Sequence, residues 1–203
     1  MQNKWEKLIN LFKERNSRIN LSAIRDEESI KIKHIDDSLI ILSDEFLLKF
    51  PQIRNLLQKK WLKICDVGTG WGFPLLPLAI SLPNAKFLGI EARNKKVKAV
   101  NDIIKRLWLK NAKVIWSRAE QEKKQCDIVT ARAVAYITKL LPWVSHLVKK
   151  WGYLLLYKLV SDEEYEDLKN IIKKYWFKLD WFFDYKLFDK DILRRIYVLK
   201  KEK

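Results

Sequence analysis

The sequence predicts an α/β fold: a seven-stranded, mostly parallel sheet with helices on both faces, plus a helical extension at the N-terminus. Three observations predict it. From residue 61 onward, short apolar runs of strand length alternate with amphipathic segments of helix length. The last two strand-like runs have no helix between them. Before residue 61 the apolar residues follow the period of a helix.

Trp5, Leu8, Ile9, Leu11 and Phe12 fall at helical spacing and predict an amphipathic helix over 2–14 with a lysine-rich outer face. A polar break at Asn16-Ser17 and the segment Ile19 to Asp26 lead into further helix over about 27–49. Pro51 opens another short piece, and Lys59-Lys60 closes the region. Strands are expected at 62–67, 86–91, 112–116, 126–131, 152–158, 176–184 and 194–200. Helices are expected at 72–82, 94–108, 137–149 and 162–175, with only a short connection after the third strand. Such alternation gives parallel strands covered on both faces. The final two strands should form an antiparallel hairpin at the sheet edge. Residues 1–60 read as a helical region packed on the core, and 61–203 as the α/β domain, together one compact unit.

The chain's 203 residues suffice for one well-buried core, and 48% apolar content makes it globular. A formal charge of +16 favours a polyanion, nucleic acid first, or an anionic membrane surface. No signal peptide is recognisable, and no apolar run approaches the roughly 18 residues that span a bilayer, so no membrane partner and a cytoplasmic location are expected. Cys65 and Cys126 lie in strand-like runs and read as small buried hydrophobes rather than a disulfide or zinc pair. His34 and His146 belong to no ligand-spaced cluster, so no metal is expected. Of the nine tryptophans, most, such as Trp5, Trp108 and Trp176, sit in apolar patterns and are expected in the core. One or two at most would stack on nucleic-acid bases.

The chemistry concentrates at Asp66-Val67-Gly68-Thr69-Gly70-Trp71-Gly72-Phe73-Pro74, which holds three of the chain's five glycines. The spacing departs from the dinucleotide fingerprint G-x-G-x-x-G, because the third glycine comes one position early and an acid precedes the first. A glycine turn with a leading acid is the pattern of S-adenosylmethionine (SAM) sites. Glu91 ends the next strand, where an acid can accept from both ribose hydroxyls. Ser117-Arg118-Ala119-Glu120 follows the third strand, where adenine sits in such folds, and Arg132 ends the fourth, pointing into the site. Two absences narrow the acceptor. Thr130-Ala131-Arg132-Ala133 stands where amino-directed methyltransferases carry Asn/Asp-Pro-Pro-Tyr/Phe, and that loop has no cysteine for a covalent pyrimidine adduct. A nucleophile with a free lone pair and no proton to lose, such as purine N7, needs positioning more than a base. An arginine could fix guanine through O6.

These motifs, taken with Asn20-Leu21-Ser22-Ala23-Ile24-Arg25-Asp26 and Lys33-His34-Ile35-Asp36-Asp37-Ser38-Leu39, resemble the RsmG, or GidB, family of bacterial small-subunit rRNA guanine-N7 methyltransferases. The likeness runs from about Trp5 to Leu199, and the N-terminal pair of motifs is its specific part. It implies the class I, Rossmann-like SAM-dependent methyltransferase fold. It implies SAM contacts at Gly68, Gly70, Phe73, Ala119, Glu120 and Arg132, with Glu91 in the ribose position. It further implies functional roles for Asn20, His34, Asp37, Arg118, Arg132 and Arg194. The implied partner is 16S rRNA or the small-subunit ribonucleoprotein particle, with a guanosine of the decoding-centre loop as target and a monomeric enzyme. Trp71 stands at a turn position where the family has a smaller residue.

Overall fold

A computed structural model describes residues 3–19, 26–187 and 193–203. Its seven strands are β1 (Lys63–Val67), β2 (Lys86–Glu91), β3 (Ala112–Trp116), β4 (Cys126–Arg132), β5 (Val148–Leu159), β6 (Phe177–Lys186) and β7 (Leu193–Lys201). They lie in the order β3-β2-β1-β4-β5-β7-β6. The first five are parallel, and β7 runs antiparallel between β5 and β6, which makes the expected edge hairpin. Between the strands run α6 (Leu75–Ser81), α7 (Asn94–Arg106), α8 (Ile137–Val144) and α9 (Asp162–Ile171). Ser161 caps α9 by accepting from the Glu164 N–H at 3.2 Å, the serine half of a capping box. The central strands are buried on both faces, as their continuous apolar runs require.

The N-terminal helices close one face. α1 (Lys4–Ile19) buries Leu8, Leu11 and Phe12 in the same core that holds Ile64 of β1, Leu76 of α6 and Val100 of α7. Its polar side pairs with α7 through Arg15–Asp102 at 2.5 Å and Glu14–Arg106 at 2.8 Å. This helix runs through Asn16-Ser17, past the break expected there. The long helix expected over 27–49 is instead a chain of pieces: α2 (Glu27–Ile30), a π-helical turn Lys31–Asp36, α3 (Asp37–Leu39), a 3₁₀ turn Ile40–Leu42 and α4 (Asp44–Lys49). Asp26 caps α2, Ser43 caps α4, and Pro51 opens α5 (Pro51–Leu57). The π turn re-aims the side chains of its six residues, and such bulges are frequent at functional sites.

Two further expectations are corrected. The helix expected over 137–149 ends at Val144, a 3₁₀ turn follows, and β5 begins at Val148. Trp108 and Trp176 are 76% and 52% exposed rather than in the core. Trp5 is half-buried against the N-terminal side of the core. Cys65 and Cys126 are buried and free. Among the described residues no helix is long and apolar enough to cross a membrane.

Candidate active site

Strand order reverses between β1 and β4, and in an open α/β sheet ligands enter at the carboxyl ends flanking such a point. Beyond Val67 the chain turns through Gly68, Gly70 and Gly72 with φ of +64°, +57° and +94°. These glycines serve different ends. A Cβ on Gly68 would meet Val134 Cγ2 at 2.6 Å, and one on Gly72 would overlap Leu76. Around Gly70 the nearest atom to such a Cβ is the Gly68 carbonyl oxygen at 3.7 Å. Packing requires glycine at 68 and 72, whereas at 70 the backbone lies bare.

Glu91, the last residue of β2, faces this turn. The Gly70 N–H donates to its Oε2 at 3.0 Å and the Arg93 N–H to its Oε1 at 2.8 Å. Each oxygen keeps a further lone pair, so the fixed carboxylate can still accept two hydroxyls. Beside it lies a cleft of about 240 Å³, lined by Val67, Gly68, Ile90, Glu91, Ala92, Lys96, Ser117, Arg118, Ala119, Glu120, Ala133, Val134 and Trp143. Gly68, Glu91, Arg118, Ala119 and Glu120, all singled out from the sequence, therefore meet in one place. Gly70 joins them through its bond to Glu91.

Phe73, His34, Asp37, Arg132 and Arg194 form a second, adjoining cluster where the N-terminal helices cross the carboxyl edge of the sheet. Asp37 is fully buried. Its Oδ2 accepts from Arg132 Nη1 at 2.7 Å, its Oδ1 from the Tyr185 hydroxyl at 2.7 Å, and Arg194 stands 3.6 Å from the same Oδ1. Arg132 also donates to the Lys33 carbonyl at 3.2 Å and lies over the Phe73 ring. Its Nη2 is 3.2 Å from His34 Nδ1. Arginine only donates, so Nδ1 accepts and the imidazole proton sits on Nε2, which has no partner. The His34 ring stacks on Phe73 at 4.8 Å. Arg132 is thus held by three protein groups rather than standing free beside the cleft. Asn20 lies outside the described residues.

Two groups here titrate far from their ordinary values. Burial pushes the Asp66 carboxyl up to about 6, although the Thr130 hydroxyl donates to it at 2.8 Å. Burial, reinforced by the Arg132 charge, pulls His34 down to about 4. The signs oppose each other. Between about pH 4 and 6 folded Asp66 holds a proton that the unfolded chain has released, so its contribution to stability falls as pH rises. Folded His34 lacks a proton that the unfolded chain holds, so its contribution rises with pH over the same window. Relative to the parent, Asp66→Asn should gain urea-unfolding midpoint from pH 4 to 6, and His34→Gln should lose it. Parallel midpoint curves for parent and variants would refute both assignments.

Sequence reasoning missed Tyr185, Lys96 and Trp143. Tyr185 sits in an aromatic edge strand and meets Asp37 148 positions away, a contact that no local pattern encodes.

The chain is similar to known proteins in sequence and in fold. Residues 1–180 match the profile of the family described as rRNA small subunit methyltransferase G. A protein named ribosomal RNA small subunit methyltransferase G from Acetivibrio thermocellus is 34% identical, over 94% of this chain and 76% of its own. A protein of the same name from Listeria monocytogenes is 32% identical, over 93% and 77%. Among solved structures, magnesium protoporphyrin IX methyltransferase from Synechocystis, solved with bound SAM, superposes with a TM-score of 0.67 at 16% identity, over 100% of this chain and 99% of that one. At such identity the likeness shows the fold alone.

Proposed function

The chain belongs to the rRNA small subunit methyltransferase G family, and from this premise we propose that it methylates N7 of one guanosine in the decoding-centre loop of 16S rRNA, acting as a cytoplasmic monomer. SAM is the cofactor; when bound it supplies an electrophilic methyl group on a sulfonium sulfur. The observation that carries the reading is the carboxylate of Glu91 pinned by the Gly70 N–H beside a bare glycine turn. Glu91 would accept from the ribose hydroxyls, and Gly68, Gly70, Ala119 and Glu120 would border the rest of the molecule.

Among the described residues nothing in the site is built as a strong base, and this fits the chemistry. Guanine N7 attacks with a lone pair and loses no proton, so the protein's work is orientation and exclusion of water. His34 is neutral at pH 7, and its Nδ1 is engaged with Arg132. Arg132, clamped by Asp37, lies over the Phe73 ring. In this reading it holds the guanine edge through O6 while leaving N7 free. The chain's +16 charge supplies attraction to rRNA phosphates.

Calorimetry with SAM should show one site per chain. Small-subunit RNA from cells lacking this methyl group should gain 7-methylguanosine at a single position when incubated with the protein and labelled SAM, mapped by mass spectrometry. Cofactor binding without label in naked, partly assembled or complete subunits would overturn the substrate half. Absence of cofactor binding would overturn the whole.

A further inference from the structure

Among the described residues five other than glycine have positive φ, and four of them are tryptophans: Trp61 (+64°), Trp108 (+55°), Trp151 (+64°) and Trp176 (+60°). The fifth, Ala133, lies at the active site. A bulky side chain in the left-handed region is a genuine outlier, because its Cβ crowds the following carbonyl. All four tryptophans lie at the amino-terminal edge of the sheet, away from the cleft, and are 52–76% exposed.

The local geometry of each asks for glycine. At the end of α7 the Leu109 N–H donates to the Ile104 carbonyl at 3.1 Å and the Trp108 N–H to the Lys105 carbonyl at 3.1 Å. That pair of bonds is a Schellman motif, with buried Ile104 and Leu109 at its flanks and Trp108 at the C′ position where glycine is the usual residue. Trp176 ends the 3₁₀ turn after α9 in the same way, with φ +60° and ψ +36°. Trp61 occupies the third position of a turn closed by the Leu62 N–H and the Lys59 carbonyl at 3.3 Å, where positive φ calls for glycine or asparagine. Trp151 sits in the irregular stretch of β5 opposite Cys126 and Ile128, next to Gly152. There a left-handed residue marks a bulge.

Composition points the same way. Glycine is five residues of 203, well under the usual share of about 7%, while tryptophan is nine. Glycine at the four positions would bring the total to nine, closer to the ordinary complement of a chain this long. We infer that positions 61, 108, 151 and 176 are glycine positions and that the native polypeptide carries glycine there. One triplet suffices to exchange the two residues: UGA is read as tryptophan in some reassigned genetic codes and as glycine in others. Trp5, Trp71, Trp116, Trp143 and Trp181 have no positive φ and fall outside the inference. The rival reading makes the exposed rings a stacking platform for RNA, since lysines stand over three of them: Lys86 over Trp61, Lys200 over Trp151 and Lys203 over Trp176.

Mass spectrometry of tryptic peptides from protein isolated from its own cells should show glycine at all four positions; tryptophan there would overturn the inference. Recombinant protein gives a second test. The fourfold Trp→Gly variant should melt above the parent, by about 2–4 °C per position. It should also melt above the fourfold Trp→Ala variant, which removes the rings but keeps the Cβ strain, and should bind 16S rRNA as tightly as the parent. A Gly variant melting no higher than the Ala variant, or losing RNA affinity, would establish tryptophan as the working residue.

Discussion

Asp37→Asn should cost about 3–5 kcal/mol of folding stability, the range for breaking one side of a buried ion pair. Asp37 has no solvent exposure, and its carboxylate takes a hydrogen bond from Arg132 and another from Tyr185, with Arg194 nearby. The amide keeps the shape but removes the charge, leaving Arg132, whose side chain is only 13% exposed, without a counter-ion. Against a total of roughly 5–15 kcal/mol for a domain, that loss shows directly in a urea melt. Arg132→Met in the Asp37→Asn background removes the stranded cation and should recover part of the loss, whereas Arg132→Met alone strands the carboxylate. A drop below about 1 kcal/mol for Asp37→Asn would mean that water already solvates this cluster. The same change frees Arg132 from its clamp, so methyl transfer should fall even at temperatures where the variant remains folded.

This network marks the boundary of what the sequence discloses. The central strands of the sheet could be read because each is an apolar run buried on both faces, and the glycine turn because Gly68, Gly70 and Gly72 cluster in a glycine-poor chain. Glu91 could be placed because its distance from the turn is set by one strand–helix–strand unit. Asp37 meets Arg132 across 95 positions, and nothing local in either segment encodes the meeting. The breaks in the N-terminal helical region escaped because a π turn and a 3₁₀ turn shift the period away from 3.6 residues within a few positions. Trp108 and Trp176 misled for another reason. Apolar pattern counts side chains, while the fate of these two is decided by a left-handed backbone at a helix end, where the ring is turned to solvent.

Glu91→Ala should weaken SAM binding by about one hundredfold or more. Two hydroxyls donating to a carboxylate contribute roughly 1.5–3 kcal/mol each, and both would be lost. The carboxylate also organises the turn, since it accepts from the Gly70 and Arg93 N–H groups, which the alanine variant leaves without their partner. A thermal melt must therefore accompany the titration, and a modest fall of about 1–3 kcal/mol in stability is expected alongside the binding defect. Ribose recognition is separated from turn organisation by a second ligand. A SAM analogue without ribose hydroxyls should bind the parent poorly, and Glu91→Ala should lose little further affinity for it, because the interaction it removes is already absent. If the variant discriminates against the analogue as strongly as the parent does, the ribose lies elsewhere in the cleft. If Glu91→Ala binds SAM within threefold of the parent, the acid serves the turn alone. Glu120→Gln, in the lining of the same cleft and without a backbone N–H to hold, should leave the melt unchanged. That contrast isolates position, rather than charge, as what makes Glu91 matter.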